Sequence, residues 1–297
     1  MSGHYRFRRS FGNVSSNFRG ARPDTYPLFT GLLDAYPGAS AAYSLRALSA
    51  GWLAGDVVEV RRSSDGTLQS FTASQILNGG ILTFTGAGDG FVSTWYDQSG
   101  NGFDVTKATT TEQPKIVSSG ALVTKNGVVS ILGDGVDDRL YRATASQLVN
   151  ASDGTWSAFG VAAGDNSSVN SVFFSNDVNT RTAQLLRFNA GDMGVAAIST
   201  TPSFFIDGAG VADISAMKQM SGIRRLADVE AYYDGVSNGA LATTGTPQSG
   251  TDSICIFNRI DGSPSEMAYI AELICYSDDM SADRAAIEAE QKAYYNV

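Results

Sequence analysis

The 297-residue sequence predicts an all-β fold, a jelly-roll sandwich, and three observations carry that expectation. Apolar runs of strand length recur along the chain, separated by turn residues at the spacing of a β-sandwich. Glycine is abundant, at 32 residues, which suits a chain that turns tightly and often. Hydrophobic residues make up 43% of the chain and charged residues only 17%, enough to bury a sizeable core and too little charge for a disordered segment.

Residues 1–40 stand apart. Arginines interleave with aromatics and with Pro23, Pro27 and Pro37, so regular structure is not expected there. Two readings fit: a loose terminus, or an anchoring arm in which Arg6, Phe7, Arg8, Arg9, Phe11, Phe18 and Arg19 dock on a neighbouring subunit. The body, 41–297, is expected to form one domain. Ala41–Ser49 places Tyr43, Leu45 and Leu48 near helical spacing, which predicts a short helix. VVEVRRSSDGTLQSF reads as a hairpin turning at Asp65-Gly66. TASQILNGG predicts a second short helix and GFVSTWYDQ a strand. VVSILGDGVDDRL runs from a strand into an acidic turn. TWSAFGVAAG, SVFFSN, AQLLRFNAG, MGVAAIS, VEAYYDGVSNG, SICIFNR and AYIAELICYS supply further strands. The chain closes on a helix after Ser281, a suitable N-cap, with Glu288 and Lys292 forming a favourable pair one turn apart.

Charge and cysteine usage exclude several functions. The net charge is −9, yet no acid precedes Asp24 and five arginines do. The rest carries 16 basic and 30 acidic residues, a body of −14 that repels phosphates and makes nucleic acid an unfavourable partner. His4 is the only histidine, so neither a His-based triad nor a zinc cluster can be assembled in the body. Cys255 and Cys275 could form one disulfide or stay reduced and buried. No stretch approaches the length of an apolar membrane span, and the N-terminus has charge without an apolar signal segment. The expectation is a protein made and folded in a cytoplasm, with no membrane insertion.

Several motifs carry a resemblance. GDGVDDRL is similar to the F-D-G-x-D-D-x-L strand-turn of laminin-G-like, concanavalin-type sandwiches, with Leu132 and Gly133 where Phe usually sits. VEAYYDGVSNG resembles their Y-x-D-G hairpin, and IAELICYSDDMSADRAAIEAEQKAYY their closing strand and terminal helix, in particular the versions carried on bacteriophage virion proteins. These motifs span about 128–297. AYSLRAL, VEVRRSSDG and WYDQSGNG, within about 41–115, resemble the start of the catalytic domain of family 54 α-L-arabinofuranosidases, and phage proteins with lectin-like domains carry the same string.

The resemblance implies a concanavalin/laminin-G-like jelly roll with an N-terminal arm. It also implies a virion structural protein, a tail fibre, spike or decorating subunit, that binds host-surface glycan. Its partners would be other virion proteins, held through the arm, and further copies of itself. An arabinofuranosidase-like hydrolase and a ligand-free structural subunit are the alternatives. The family's nucleophile Glu follows a Gly-x-Met string. Here Gly191-Asp192-Met193 is followed by Gly194, which implies a lost nucleophile and a non-enzyme.

In WYDQSGNG, Asp97 can accept backbone N–H groups while Gly100 and Gly102 permit positive φ, so the octapeptide can be a turn, a sugar contact or an ion contact. Trp52, Trp95, Asp97 and Asn101 are the candidate carbohydrate-binding residues. Trp156, Tyr232 and Tyr233 are further aromatics, of which Trp95 and Trp156 sit in apolar runs that suit a core. Asp134, Asp137 and Asp138 could hold Ca²⁺ or form a solvated turn, with Asp137 or Asp138 paired to Arg139 or Arg142. Glu272 alternates with apolar residues and is expected to face solvent or a groove.

Overall fold

A computed structural model describes residues 29–143, 148, 152–164, 171–174, 185–189, 192–198, 203–207, 215–242, 253–258 and 267–297. The fold is the expected all-β sandwich. Its axis is the ten-residue strand Met267–Tyr276. Strand Trp156–Ala163 pairs along one side of it. On the other side, Ala41–Ser44 covers its C-terminal half and Ile131–Asp134 its N-terminal half, all antiparallel. One way the sheet continues through Lys218–Arg224 and Asp228–Tyr233 to the edge strand Val236–Ala242. The other way it curls through Lys115–Ser118, Gly90–Trp95, Val105–Thr106 and Leu140–Arg142 to Ile254–Ile256. A separate four-stranded sheet, Ser171–Phe174, Leu185–Asn189, Asp192–Ile198 and Ser203–Asp207, lies against several of these strands.

The largest apolar cluster fills the sheet's inner face. Trp95, Trp156, Tyr43 and Phe71 are buried there, with the Tyr43 and Trp95 ring centroids 5.8 Å apart. Each such side chain contributes about 2–3 kcal/mol by leaving water. Cys255 and Cys275 are both buried and both free thiols. Burial pushes the Cys275 thiol well above its ordinary value. Among the described residues no helix is long and apolar enough to cross a membrane.

Three expectations need correction. Ala41–Ser44 is a strand, not a helix: all four side chains are buried, so tertiary pairing with Glu272–Cys275 of the axial strand overrides the helical spacing. The C-terminal helix spans Arg284–Tyr295 and is preceded by Asp283 as N-cap, while the Ser281 hydroxyl bonds Asp279 instead. Within that helix Glu288 pairs with Arg284 at 2.6 Å, and Lys292 reaches Asp234. The division at residue 40 also falls late. Leu32 and Ala39 are buried in a cluster with Phe159, Ile274 and Tyr276, and Leu33 N donates to Leu48 O. The body therefore extends back to about residue 31.

The hairpin Asp56–Arg62 to Leu68–Thr72 forms as predicted, with Gly66 at φ 76° in its turn. The TASQILNGG helix also forms, over Ala73–Leu77, with the Thr72 hydroxyl accepting from Gln75 N. Strand Lys218–Arg224 has no counterpart among the predicted strands. Its Gln219 and Ser221 are buried, and KQMSGIR, with only Met220 and Ile223 as large apolar residues, does not stand out as an apolar run.

Gly133 explains one departure from the laminin-G pattern. A Cβ there would sit 2.7 Å from the Phe257 ring. Phe257 is fully buried at φ 75°, so a ring from a distant segment occupies the space that the motif's own Phe would fill.

Candidate functional site

WYDQSGNG begins at the end of strand Gly90–Trp95 and spends its polar groups on segment 39–48. Asp97 is buried. Its Oδ1 accepts from Ala42 N and Ser99 N, both at 2.9 Å, and its Oδ2 accepts from Phe103 N and the Ser99 hydroxyl. Gln98 donates to the carbonyls of Ser44 and Arg46 and accepts from Leu48 N. Trp95 Nε1 donates to Ser44 O. Asn101 donates to the carbonyls of Ala39 and Ser40. AYSLRAL and WYDQSGNG are therefore two halves of one hydrogen-bonded unit. That accounts for their joint occurrence without any ligand.

This changes the standing of the candidate sugar contacts. Trp95 has no exposed surface, so it offers no face for stacking. Asp97 and Asn101 have their side chains committed to the backbone. Trp156 is buried as well, and Tyr232 lies beneath Arg284, whose guanidinium stands 3.8 Å from the ring centroid. Trp52 alone of the four candidates keeps an accessible ring, with Nε1 donating to Asp56 O.

The octapeptide does position a site. Asp104 accepts from Asp97 N and Asp97 accepts from Phe103 N, which returns the chain to strand Val105–Thr106. That strand pairs with Leu140–Arg142, Tyr141 opposite Thr106. Beside the pair lies a cleft of about 450 Å³ lined by Thr106, Lys107, Ala108, Thr109, Arg139 and Tyr141, a volume suited to a small ligand. Glu112 sits between two cations there. It pairs with Lys107, and Arg139 Nε lies 3.3 Å away. The Lys107 ammonium beside it holds the Glu112 carboxyl below its ordinary value. Gln113 fastens the loop by donating to Lys107 O and accepting from Arg61.

None of these lining residues was among the sequence candidates. The cleft joins residues some thirty positions apart, and only the run KATTTEQ, with hydroxyls between a Lys and a Glu, hinted at it. Asp137 or Asp138 was expected to pair with Arg139 or Arg142; the ion pair that Arg139 makes is with Glu112. The backbone explains this, because Arg139 N donates to Glu112 O and sets the two side chains together.

Asp134, Asp137 and Asp138 place one carboxylate oxygen each within 4.8 Å of one another. Asp134 Oδ1 accepts from Val136 N at 2.8 Å and more weakly from Asp137 N and Asp138 N, and Asp138 Oδ2 accepts from Asp134 N. The cluster braces its own turn. Burial, with Asp134 beside it, pushes the Asp138 carboxyl up to about 7. A hard cation such as Ca²⁺ fits three oxygens but needs six to eight, so backbone or water would supply the rest.

Glu272 faces neither solvent nor groove. It has no exposed surface and bonds Arg46 through both oxygens, at 2.8 and 3.0 Å. Ser44, Gln291 and Tyr295 complete its shell. A bulge aims it: Val161 pairs with Glu272 and Ala162 with Ile270, which leaves Ala271 as the extra residue. Burial acts to raise this carboxyl, and the Arg46 charge outweighs it, so Glu272 sits below its ordinary value.

The residues that would anchor the chain, Arg6, Phe7, Arg8, Arg9, Phe11, Phe18 and Arg19, lie outside the described residues. Gly194 falls in strand Asp192–Ile198, in register with Arg187 on one side and Asp207 on the other.

No family model matches the sequence, and no curated protein matches it. Solved structures do. A GH54 α-L-arabinofuranosidase variant soaked with 4-nitrophenyl α-L-arabinofuranoside superposes with a TM-score of 0.68 at 16% identity, covering 90% of this chain and 66% of that one. An arabinofuranosidase complexed with arabinofuranosyl-α-1,2-xylobiose gives 0.69 at 17% identity, covering 90% of this chain and 65% of that one. This chain thus spans just under two thirds of those chains' length. At such identity the likeness is one of fold: the β-sandwich of this chain is similar in fold to these arabinofuranosidase structures.

Proposed function

We propose that this chain is a carbohydrate-recognising sandwich on an arabinofuranosidase-type scaffold, with its sugar site in the cleft between Thr106–Thr109 and Arg139–Tyr141. The lining of that cleft carries the reading: two hydroxyls, two cations and one aromatic ring converge on about 450 Å³. Sugars are bound by such a set, hydrogen bonds to their hydroxyls and an aromatic face against their C–H groups. Incubating the full chain with arabinan, xylan and pectic polysaccharides tests it, with bound material recovered for mass spectrometry. Intact bound sugar supports recognition, and the absence of any bound polysaccharide refutes it.

One observation favours a second reading, hydrolysis. Burial and the neighbouring Asp134 carboxylate raise the Asp138 carboxyl to about 7, the setting of a general acid beside a second carboxylate. Shortened sugar released by the wild-type chain and not by Asp138→Asn would establish it. Shortened sugar from neither would remove it.

The motif resemblance to phage virion modules adds a setting for either reading. The chain would be carried on a particle, in several copies, with Arg6 to Arg19 as the anchor, so that multivalency offsets weak single sites. Deleting residues 2–30 tests the anchor. Unchanged incorporation into particles would refute it.

A further inference from the structure

We infer that the cleft selects an acidic glycan, one whose repeating unit carries a uronate carboxylate; this rests on the cleft being the sugar site. Charge is locally unbalanced at the cleft. The body of the chain is strongly acidic, yet Lys107 and Arg139 both line the cleft and share a single carboxylate, Glu112. Arg61 adds a third cation at the same loop. Its Nε donates to Gln113, its terminal nitrogen to Thr110 O, and its guanidinium lies over the Phe91 ring, all neutral partners. The segment 107–113 is therefore held by three cations against one anion.

Lys107 and Arg139 are partly shielded, with 12% and 30% of their side chains exposed, so the surplus is screened less than a free surface charge. The acidic turn precedes Arg139 in the chain, but among the described residues the ion pair of Arg139 is with Glu112. A second carboxylate entering from the ligand would complete an alternating square of two cations and two anions. The planar Arg139 guanidinium suits a carboxylate presented edge-on, and Tyr141 and Thr106 suit the sugar ring that carries it.

The test compares polygalacturonate, its fully methyl-esterified form, neutral arabinan and dextran sulfate, using the full chain and calorimetric titration at low and moderate salt. Wild type is expected to bind polygalacturonate at least about tenfold more tightly than the methyl ester, with affinity falling as salt rises. Arg139→Gln and Lys107→Gln should each lower that affinity about tenfold, and Arg139→Lys less. Circular dichroism on each variant confirms the fold. Equal binding of ester, arabinan and polygalacturonate overturns the inference and leaves the sugar site standing. Binding of no polysaccharide overturns both. Polygalacturonate binding untouched by the two substitutions also overturns the inference and moves the polyanion contact to the basic N-terminal segment. Dextran sulfate bound in preference replaces uronate by sulfate and overturns the class named here.

Discussion

Asp97 offers the sharpest test of whether WYDQSGNG is scaffold or contact surface. Replacing it by Ala removes the acceptor for Ala42 N, Ser99 N and Phe103 N and for the Ser99 hydroxyl. Ala42 has no exposed surface, so water cannot replace its lost bond, and Phe103 is half-buried. A buried donor left unpaired costs about 1–3 kcal/mol. Two such donors give about 2–6 kcal/mol, a large share of the stability of an ordinary domain. Asp97→Asn keeps one acceptor oxygen but turns an amide toward Phe103 N and Ser99, and should cost about half as much. Urea unfolding followed by tryptophan fluorescence reads both, with the slope m expected to hold and the midpoint to fall. A wild-type midpoint for Asp97→Ala would refute the reasoning, because the carboxylate would then be dispensable to the fold.

Three other perturbations follow from the same structure. Arg46→Ala strands the Glu272 carboxylate without its cation in a fully buried site and should cost about 3–5 kcal/mol in chemical denaturation, while the double change Arg46→Met with Glu272→Leu recovers most of it. Because Arg46 holds Glu272 below its ordinary value, this stabilisation is intact above about pH 4.5 and is lost as pH falls through the lowered value; a flat stability profile in acid would contradict it. Asp138 behaves in the opposite sense: its carboxyl is raised to about 7, so the fold favours the protonated form and loses up to about 4 kcal/mol as pH rises from 4 to 8, a loss that Asp138→Asn should abolish in melts across that range. Gly133→Ala drives a methyl into the Phe257 ring and should lower stability by about 1–3 kcal/mol, seen as a drop in melting temperature.

The strand and turn content of this chain was legible because its buried face alternates with turn residues such as Asp65-Gly66 and Asp234-Gly235, of which Gly66, Asp234 and Gly235 sit at positive φ where the chain reverses. Ala41–Ser44 was misread because its helical spacing is a by-product of a strand buried on both faces. Glu272, Gln219 and Ser221 were hidden for a related reason. Polar residues at alternate positions signal a solvated face, and here the C-terminal helix covers that face with Glu288, Gln291 and Tyr295. The signal that could have found it was the helix itself, whose apolar stripe is too thin to dock alone: only Ile287 is a buried apolar residue on it. The cleft was invisible because Lys107 and Arg139 meet through tertiary contacts, the pairing of Thr106 with Tyr141 and the bond from Arg139 N to Glu112 O. WYDQSGNG was conspicuous because it fastens the fold, the turn reading that its Asp and glycines allowed.

The central claim is that the cleft holds sugar, and Tyr141 gives its most direct test. Native electrophoresis of wild type and Tyr141→Ala through gels containing arabinan, xylan or polygalacturonate, with unfolding midpoints measured alongside, reads it. Wild type is expected to be retarded by at least one polysaccharide, and Tyr141→Ala, still folded, to migrate as it does in an empty gel. Retardation of the two chains to the same extent, or of neither, would contradict it.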